Sequence, residues 1–217
     1  MSMKNSNLNK KFILMGAGGH ASVLLDIMRI HRYNIFGLCA SSINDDNKHK
    51  WGELNLIDND SDVLNLDPNE FNLVNGVGVV PGNNTRVMIQ NKIDKYKFSS
   101  PKLIHPFSFI SDNVELSNNS VQIMAGSVVQ TGTKIMDNVI VNTGATIDHD
   151  CLIGKNVAIS PGARICGGVT LEDNVFIGAG AIIIQGITIK KNSIIGAGAV
   201  IFKNVPEGSK IIKYHEK

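Results

Sequence analysis

The chain has 217 residues, 43% of them hydrophobic and 18% charged, and 21 basic against 19 acidic side chains leave a formal charge of +2. That length supplies one or two domains with a sizeable core, and that charge is too small for electrostatic capture of nucleic acid. The first apolar run, Phe12-Ile13-Leu14-Met15, is too short for a secretory core, and nothing approaches the ~20 apolar residues of a membrane span. Cys39, Cys151 and Cys166 form neither a CxxC pair nor a zinc pattern, so reduced thiols in a cytoplasmic protein are expected, with no membrane or nucleic-acid partner.

Lys11–Met15 reads as a short apolar strand. Gly16-Ala17-Gly18-Gly19-His20-Ala21 follows, and residues 23–30 then have helical spacing. Strand, glycine-rich turn and helix make a phosphate cradle, because glycine admits close backbone approach and a helix start offers N–H groups. Gly16, Gly18 and Ala21 match G-x-G-x-x-A, the dinucleotide fingerprint. Its acidic residue at the end of the second strand is missing, since residues 36–39 lead into Ala40-Ser41-Ser42. Residues 73–80 read as a third strand, followed by Pro81-Gly82-Asn83-Asn84-Thr85-Arg86 and a helix through Lys95. These elements predict a small Rossmann-like α/β domain over residues 1–102, suited to a nucleotide moiety rather than to NAD. A glycine turn needed only for tight strand-to-helix packing is the alternative.

From Val121 the chain divides into sixes, beginning VQIMAG, SVVQTG, TKIMDN, VIVNTG, ATIDHD, CLIGKN and ending AVIFKN. The third position is aliphatic in every unit from Ile123 to Ile201, and the first is small or β-branched almost throughout. Positions four to six collect Gly, Asn, Asp and Lys, the first three of which tolerate a corner with φ > 0. An α-helix turns about 240° in six residues, so this column does not share one helical face. A three-sided prism does accommodate it: each side is a short strand pointing one aliphatic side chain inward, and stacked coils make three parallel sheets. Ile104, Ile110 and Leu116 keep the spacing upstream, with one residue inserted before Ile123. A parallel β-helix is therefore expected over residues 103–217.

The hexapeptide pattern resembles the left-handed β-helix acyltransferases, which use acetyl-CoA or related thioesters and act as trimers. The left hand and the homotrimer come from that resemblance. The segments GAGGH, PGNNTR, SSPKLIHPFSFIS and NTGATIDHDCLIGKNVAISPGARICGG narrow it. Along nearly the whole chain they are similar to bacterial acetyltransferases that N-acetylate 4-amino sugars carried on nucleotide diphosphates, for surface polysaccharide biosynthesis. Relatives of that group O-acetylate sialic acids. The fold class implied is mixed: a small Rossmann-like domain, then a left-handed parallel β-helix.

Acetyl transfer from a thioester to an amine requires removal of a proton and stabilisation of a tetrahedral oxyanion, with no metal. Of six histidines, His149 alone lies in the repeat, flanked by Asp148 and Asp150 in the unit ATIDHD. The resemblance makes His149 the general base and Asp150 the group that raises its basicity; the alternative is an exposed corner histidine. Gly167 matches a position whose backbone N–H faces the thioester carbonyl, or else is a turn glycine. By the same matching Ala179 and Ala197 line a pantetheine groove between neighbouring prisms. Gly18, Gly19, His20 and Gly82 are the residues expected to bind the nucleotide sugar. Cys151 is expected to serve as a small core hydrophobe, and His105 as a structural residue.

Two features depart from the family. Ala158 stands where many members carry a second histidine, and the chain ends PEGSKIIKYHEK without the usual Gly-x-Pro-Ala segment. The leading expectation is an acetyl-CoA-dependent N-acetyltransferase of a nucleotide-linked amino sugar. The alternatives are an O-acetyltransferase of a sialic-acid-like sugar and a non-catalytic sugar-nucleotide-binding relative.

Overall fold

Phe12, Ile13, Leu14 and Met15 are all buried, as a strand covered on both faces requires. The computed structural model describes residues 10–41, 43 and 48–212, without the side chains of 48 and 49. Ser42, His215 and the end of the C-terminal segment (213–217) lie outside the described residues, as does the His49 side chain. The chain divides into two compact units, Met1–Pro101 and Lys102–Lys217.

The first unit runs β1 (Lys11–Met15), α1 (Gly19–Ile30), β2 (Ile35–Cys39), α2 (Lys48–Trp51), β3 (Asn55–Ile57), α3 (Asp60–Leu64), β4 (Phe71–Asn75) and α4 (Thr85–Lys95). The four strands form a parallel sheet in the order β3-β2-β1-β4. Ala21, Leu24, Leu25, Ile27 and Met28 of α1 are its buried face. The third predicted strand, residues 73–80, is shorter than expected and ends at Asn75. Gly76 N–H still donates to the Met15 carbonyl at 2.9 Å, but the next polar groups are already engaged. Asn75 Oδ1 accepts the Val77 N–H at 3.2 Å, and buried Arg86 donates to the carbonyls of Asn75 (3.1 Å) and Val77 (2.8 Å). The chain therefore leaves the sheet as a loop toward Gly82.

The second unit is built from two-residue strands, β5 (Leu103–Ile104) through β22 (Lys210–Ile211), in three parallel sheets of seven, six and five strands. Through the repeat each strand pairs with the one eighteen residues later: Ile140 with Ala158, Thr146 with Arg164, Leu152 with Thr170. The third-position column is the core, from Ile123 and Val129 to Ile195 and Ile201, with small first-position residues such as Ala145, Cys151 and Ala163 beside it. The fold predicted from the hexad period is thus the one observed. Every sixth residue from Ser120 to Gly198 has φ between 55° and 73°, which sets the corners.

Where that corner residue is asparagine, the side chains stack into a ladder: Asn138 donates to Asn156 (2.9 Å), Asn156 to Asn174 (2.9 Å) and Asn174 to Asn192 (3.0 Å). The residue inserted before Ile123 is absorbed at the 117–120 turn on this same edge. Leu103 still pairs with Gln122 and Ile104 with Ile123, so the sheets stay in register. Among the described residues no helix is long and apolar enough to cross a membrane.

Replacing Asn156 separates the two functions of the ladder residue. Asn156→Gly loses two side-chain hydrogen bonds but keeps the left-handed corner; Asn156→Ala loses both. The alanine variant should be the less stable by about 1 kcal/mol, measured by denaturant unfolding.

Candidate active site

His149 sits on the turn that joins Thr146–Ile147 of the six-stranded sheet to Leu152–Ile153 of the five-stranded sheet. The ATID stretch supplies a strand and a buried Ile147, and the αL backbone of Asp150 (φ 57°) turns the corner. In that corner column the neighbouring residues are Gly132, Gly168 and Gly186. Asp tolerates the conformation better than most residues, so a carboxylate stands where the other coils have glycine.

The imidazole Nδ1 lies 2.8 Å from Asp150 Oδ2, and Asp148 Oδ1 accepts the His149 backbone N–H at 2.9 Å. The Asp150 hydrogen bond, with the charges of Asp148 and Asp150 behind it, holds the His149 pKa above the ordinary histidine value of 6.5. With Asp150 on Nδ1, Nε2 is the nitrogen left to exchange a proton, and 56% of the side-chain surface is exposed to do so.

Neighbouring coils make room for this pair by lacking side chains. A Cβ on Gly167, one coil later, would fall 2.6 Å from both Cε1 and Nε2 of His149. A Cβ on Gly132, one coil earlier, would overlap Asp150 Oδ1. Gly167, expected from the sequence, is therefore brought against the catalytic candidate. Gly132 and Asp148 were missed as site residues, although subtracting one eighteen-residue coil from Asp150 arrives at Gly132.

Ala179 and Ala197 do not join this cluster. They lie on the turns between the seven- and six-stranded sheets, where Gly198 N–H donates to the Ala179 carbonyl at 2.8 Å. Ala158 is buried in the seven-stranded sheet, the face opposite the His149 edge. Cys151 is fully buried in the core, its thiol donates to the Cys166 carbonyl at 3.2 Å, and burial pushes its pKa up to about 11. It is a core hydrophobe rather than a thiolate nucleophile. His105 Nδ1 accepts the Phe107 N–H at 3.1 Å, a turn-capping role. Among the described residues no group of three or more His, Cys, Asp or Glu is arranged around a metal position.

In the first unit, Gly18 caps the start of α1 and His20 lies in its first turn. A Cβ at Gly18 or Gly19 would meet nothing within 4 Å, and neither would one at Gly82. Packing requires glycine elsewhere: a Cβ on Gly76 would press Ala21 Cβ at 2.9 Å, and one on Gly78 would lie 3.3 Å from His20 Cβ. The 76–78 stretch therefore runs against the first turn of α1, while Gly18 and Gly19 face open space.

The family described as "Bacterial transferase hexapeptide (six repeats)" matches residues 132–167, 150–185 and 168–203, and the PglD N-terminal domain matches residues 11–93. The acetyltransferase domain of PglB from Neisseria gonorrhoeae, solved in complex with acetyl coenzyme A, is 32% identical; the match covers 94% of this chain and 97% of that one, with a TM-score of 0.81. The chain belongs to the bacterial hexapeptide-repeat sugar acetyltransferases. Their β-helix is left-handed, and that is the fold here. GDP-perosamine N-acetyl transferase from Caulobacter crescentus, solved as a histidine variant with CoA and GDP-perosamine, is 27% identical over 94% of this chain and 93% of that one, with a TM-score of 0.80. WeeI from Acinetobacter baumannii, 20% identical over 94% and 97% with a TM-score of 0.79, shares the fold.

Gly167→Ala should displace the imidazole from its seat without unfolding the coil. The His149 ring resonances in an NMR spectrum should shift, while the thermal transition stays near that of the wild type.

Proposed function

We propose that this chain is an acetyl-CoA-dependent N-acetyltransferase acting on a nucleotide-linked 4-amino-deoxy sugar, in the cytoplasm and in surface polysaccharide biosynthesis. The observation that carries the reading is the exposed His149–Asp150 pair seated against Gly167. It unites a base of raised pKa with a backbone free of side chain at the place where a reacting group would approach. The acetyl-CoA and GDP-perosamine complexes of the two relatives above support the choice of donor and acceptor.

In the reaction the sugar amine attacks the thioester carbonyl carbon, forming the C–N bond and a tetrahedral oxyanion. His149 Nε2 takes the proton that the nitrogen gives up, and Asp150 on Nδ1 stabilises the resulting imidazolium. The Gly167 backbone N–H is the oxyanion donor in this reading. The intermediate collapses with cleavage of the C–S bond, and His149 returns its proton to the departing thiolate. Atoms and charges balance with amide and free CoA as products.

Gly18, Gly19, His20 and Gly82 bind the nucleotide portion. The open space at Gly18 and Gly19, whose backbones do not call for glycine, favours that role over a turn needed only for packing; Gly82, with φ 82°, also has a backbone reason to be glycine. Ala179 and Ala197 line the pantetheine groove, contributed by a second copy in a homotrimer. Two features favour this assembly. The edge with these alanines and the edge with His149 flank the same six-stranded sheet, and exposed Phe109, Val200 and Phe202 lie on or beside that sheet. With Ala158 in place of a second histidine, the thioester is held by backbone groups.

His149→Ala should lower kcat by ~10²–10⁴, followed by thiol release from acetyl-CoA over a panel of nucleotide amino sugars. Only the neutral imidazole accepts a proton, so the rate should rise with pH through a His149 pKa above 6.5. Asp150→Asn removes the hydrogen-bonded charge and should move that limb to lower pH with a smaller loss of rate. The amine acceptor contributes its own rise, which the His149→Ala profile isolates. Near-wild-type activity of His149→Ala would overturn the assignment.

Gly18→Val should weaken the nucleotide sugar and leave acetyl-CoA affinity unchanged, as read by calorimetric titration of each ligand. Equal losses for both would return the turn to a purely structural role.

A further inference from the structure

The His149 turn is tied to the preceding coil by one buried side chain. Thr133 is fully buried; its hydroxyl donates to the Asp148 carbonyl at 2.8 Å and accepts the Cys151 N–H at 3.1 Å. These two groups are the entry and the exit of the turn that carries His149 and Asp150. Backbone bonds fix its middle: Asp150 N–H donates to the Thr131 carbonyl at 3.0 Å, and Gly168 N–H donates to the His149 carbonyl at 2.9 Å. Beside Thr133, Gly132 leaves the space occupied by Asp150 Oδ1.

We propose that Thr133 is a positioning residue for acetyl transfer, its hydroxyl clamping both ends of the 148–151 turn so that Asp150 stays on His149 Nδ1. The proposal rests on the reading of His149 as the base. Hydroxyls staple other turns too: Ser193 Oγ donates to the Pro206 carbonyl at 2.9 Å on the asparagine-ladder edge. Thr133 differs in holding both the carbonyl and the N–H of a turn, and in doing so under the His149–Asp150 pair. At the positions equivalent to Thr133 in the three following coils stand Cys151, Val169 and Ile187, so on this edge no hydroxyl is needed to keep the prism stacked.

The mechanism is geometric. The two side chains of the pair point to opposite neighbours, Asp150 toward Gly132 and His149 toward Gly167. A small rotation of the turn about its own axis would part Oδ2 from Nδ1 and tilt Nε2 away from its approach path. Misplacement of a catalytic group by about 1 Å lowers rates up to about 100-fold.

The test compares Thr133→Val, which keeps the shape and removes the hydroxyl, with Thr133→Ser, which keeps the hydroxyl. Ser193→Ala serves as the control staple on another edge. Two quantities are read in the full-length protein: kcat and KM with one nucleotide amino sugar, and the His149 pKa from NMR titration of its ring carbons. The charged groups acting on the ring are Asp148 and Asp150 of its own coil; Gly132, Thr133 and Gly167 of the neighbouring coils do not titrate.

Thr133→Val should lower kcat about 10- to 100-fold with both KM values unchanged, and its His149 pKa should fall toward 6.5. Thr133→Ser should restore both, and Ser193→Ala should change stability alone. If Thr133→Val loses stability but keeps kcat and the His149 pKa, Thr133 is a coil staple like Ser193 and the inference fails by itself. If Thr133→Val does not fold, a Thr133→Ser variant with impaired kcat or a lowered His149 pKa would overturn it equally. If His149→Ala retains activity in the same assay, the base assignment and the positioning role fall together.

Discussion

Everything in the second unit depends on one steric constraint: each coil must bring its inward aliphatic side chain directly over that of the coil before. Ile147 lies over Val129 and under Ile165 because Thr146–Ile147 pairs with both neighbours in parallel register. Burial of these columns supplies the stabilisation, on the order of 1.5–3 kcal/mol for each large aliphatic side chain. The left-handed corner residues are the counterpart of that burial. They close each turn within the few residues that the period allows, and Gly, Asn and Asp fill them because those residues adopt φ > 0 with little strain.

The catalytic candidate inherits its geometry from this stacking. A histidine on a free loop would sample many positions; His149 is confined between a glycine one coil later and, through Asp150, a glycine one coil earlier. The pair is thus exposed to solvent yet ordered. Its raised pKa follows from a carboxylate fixed at 2.8 Å from Nδ1 rather than from burial. A similar economy appears in the first unit, where buried Arg86 and Asn75 bend the chain out of the sheet and so define the loop that runs past His20 to Gly82.

The β-helix was legible because its period is strict: a single aliphatic column predicted strands, corners and core together. His149, Asp150 and Gly167 were named as candidates through the family motif; the structure brings the three together and gives Gly167 a physical reason in the closeness of the imidazole. The first unit was harder to read. Asn55–Ile57 is short and largely exposed, so no periodicity marks it, and the apolar run after Leu73 continues past the point where side-chain hydrogen bonds end the strand. Gly132 and Thr133 escaped notice because they belong to an adjacent coil. Proximity in this fold is counted in eighteens along the chain, and a search confined to the neighbours of His149 in sequence does not find them.

The single residue absorbed at the 117–120 turn has a wider meaning. Strands before and after it remain paired although their spacing there is nineteen instead of eighteen residues. The prism's edges are thus phase-tolerant joints between rigid sides. Extra length inserted at an edge leaves the inward columns aligned, whereas the same length within a two-residue strand would turn the inward side chain outward. Residues added at such an edge would grow outward from the coil without altering the stack beneath them.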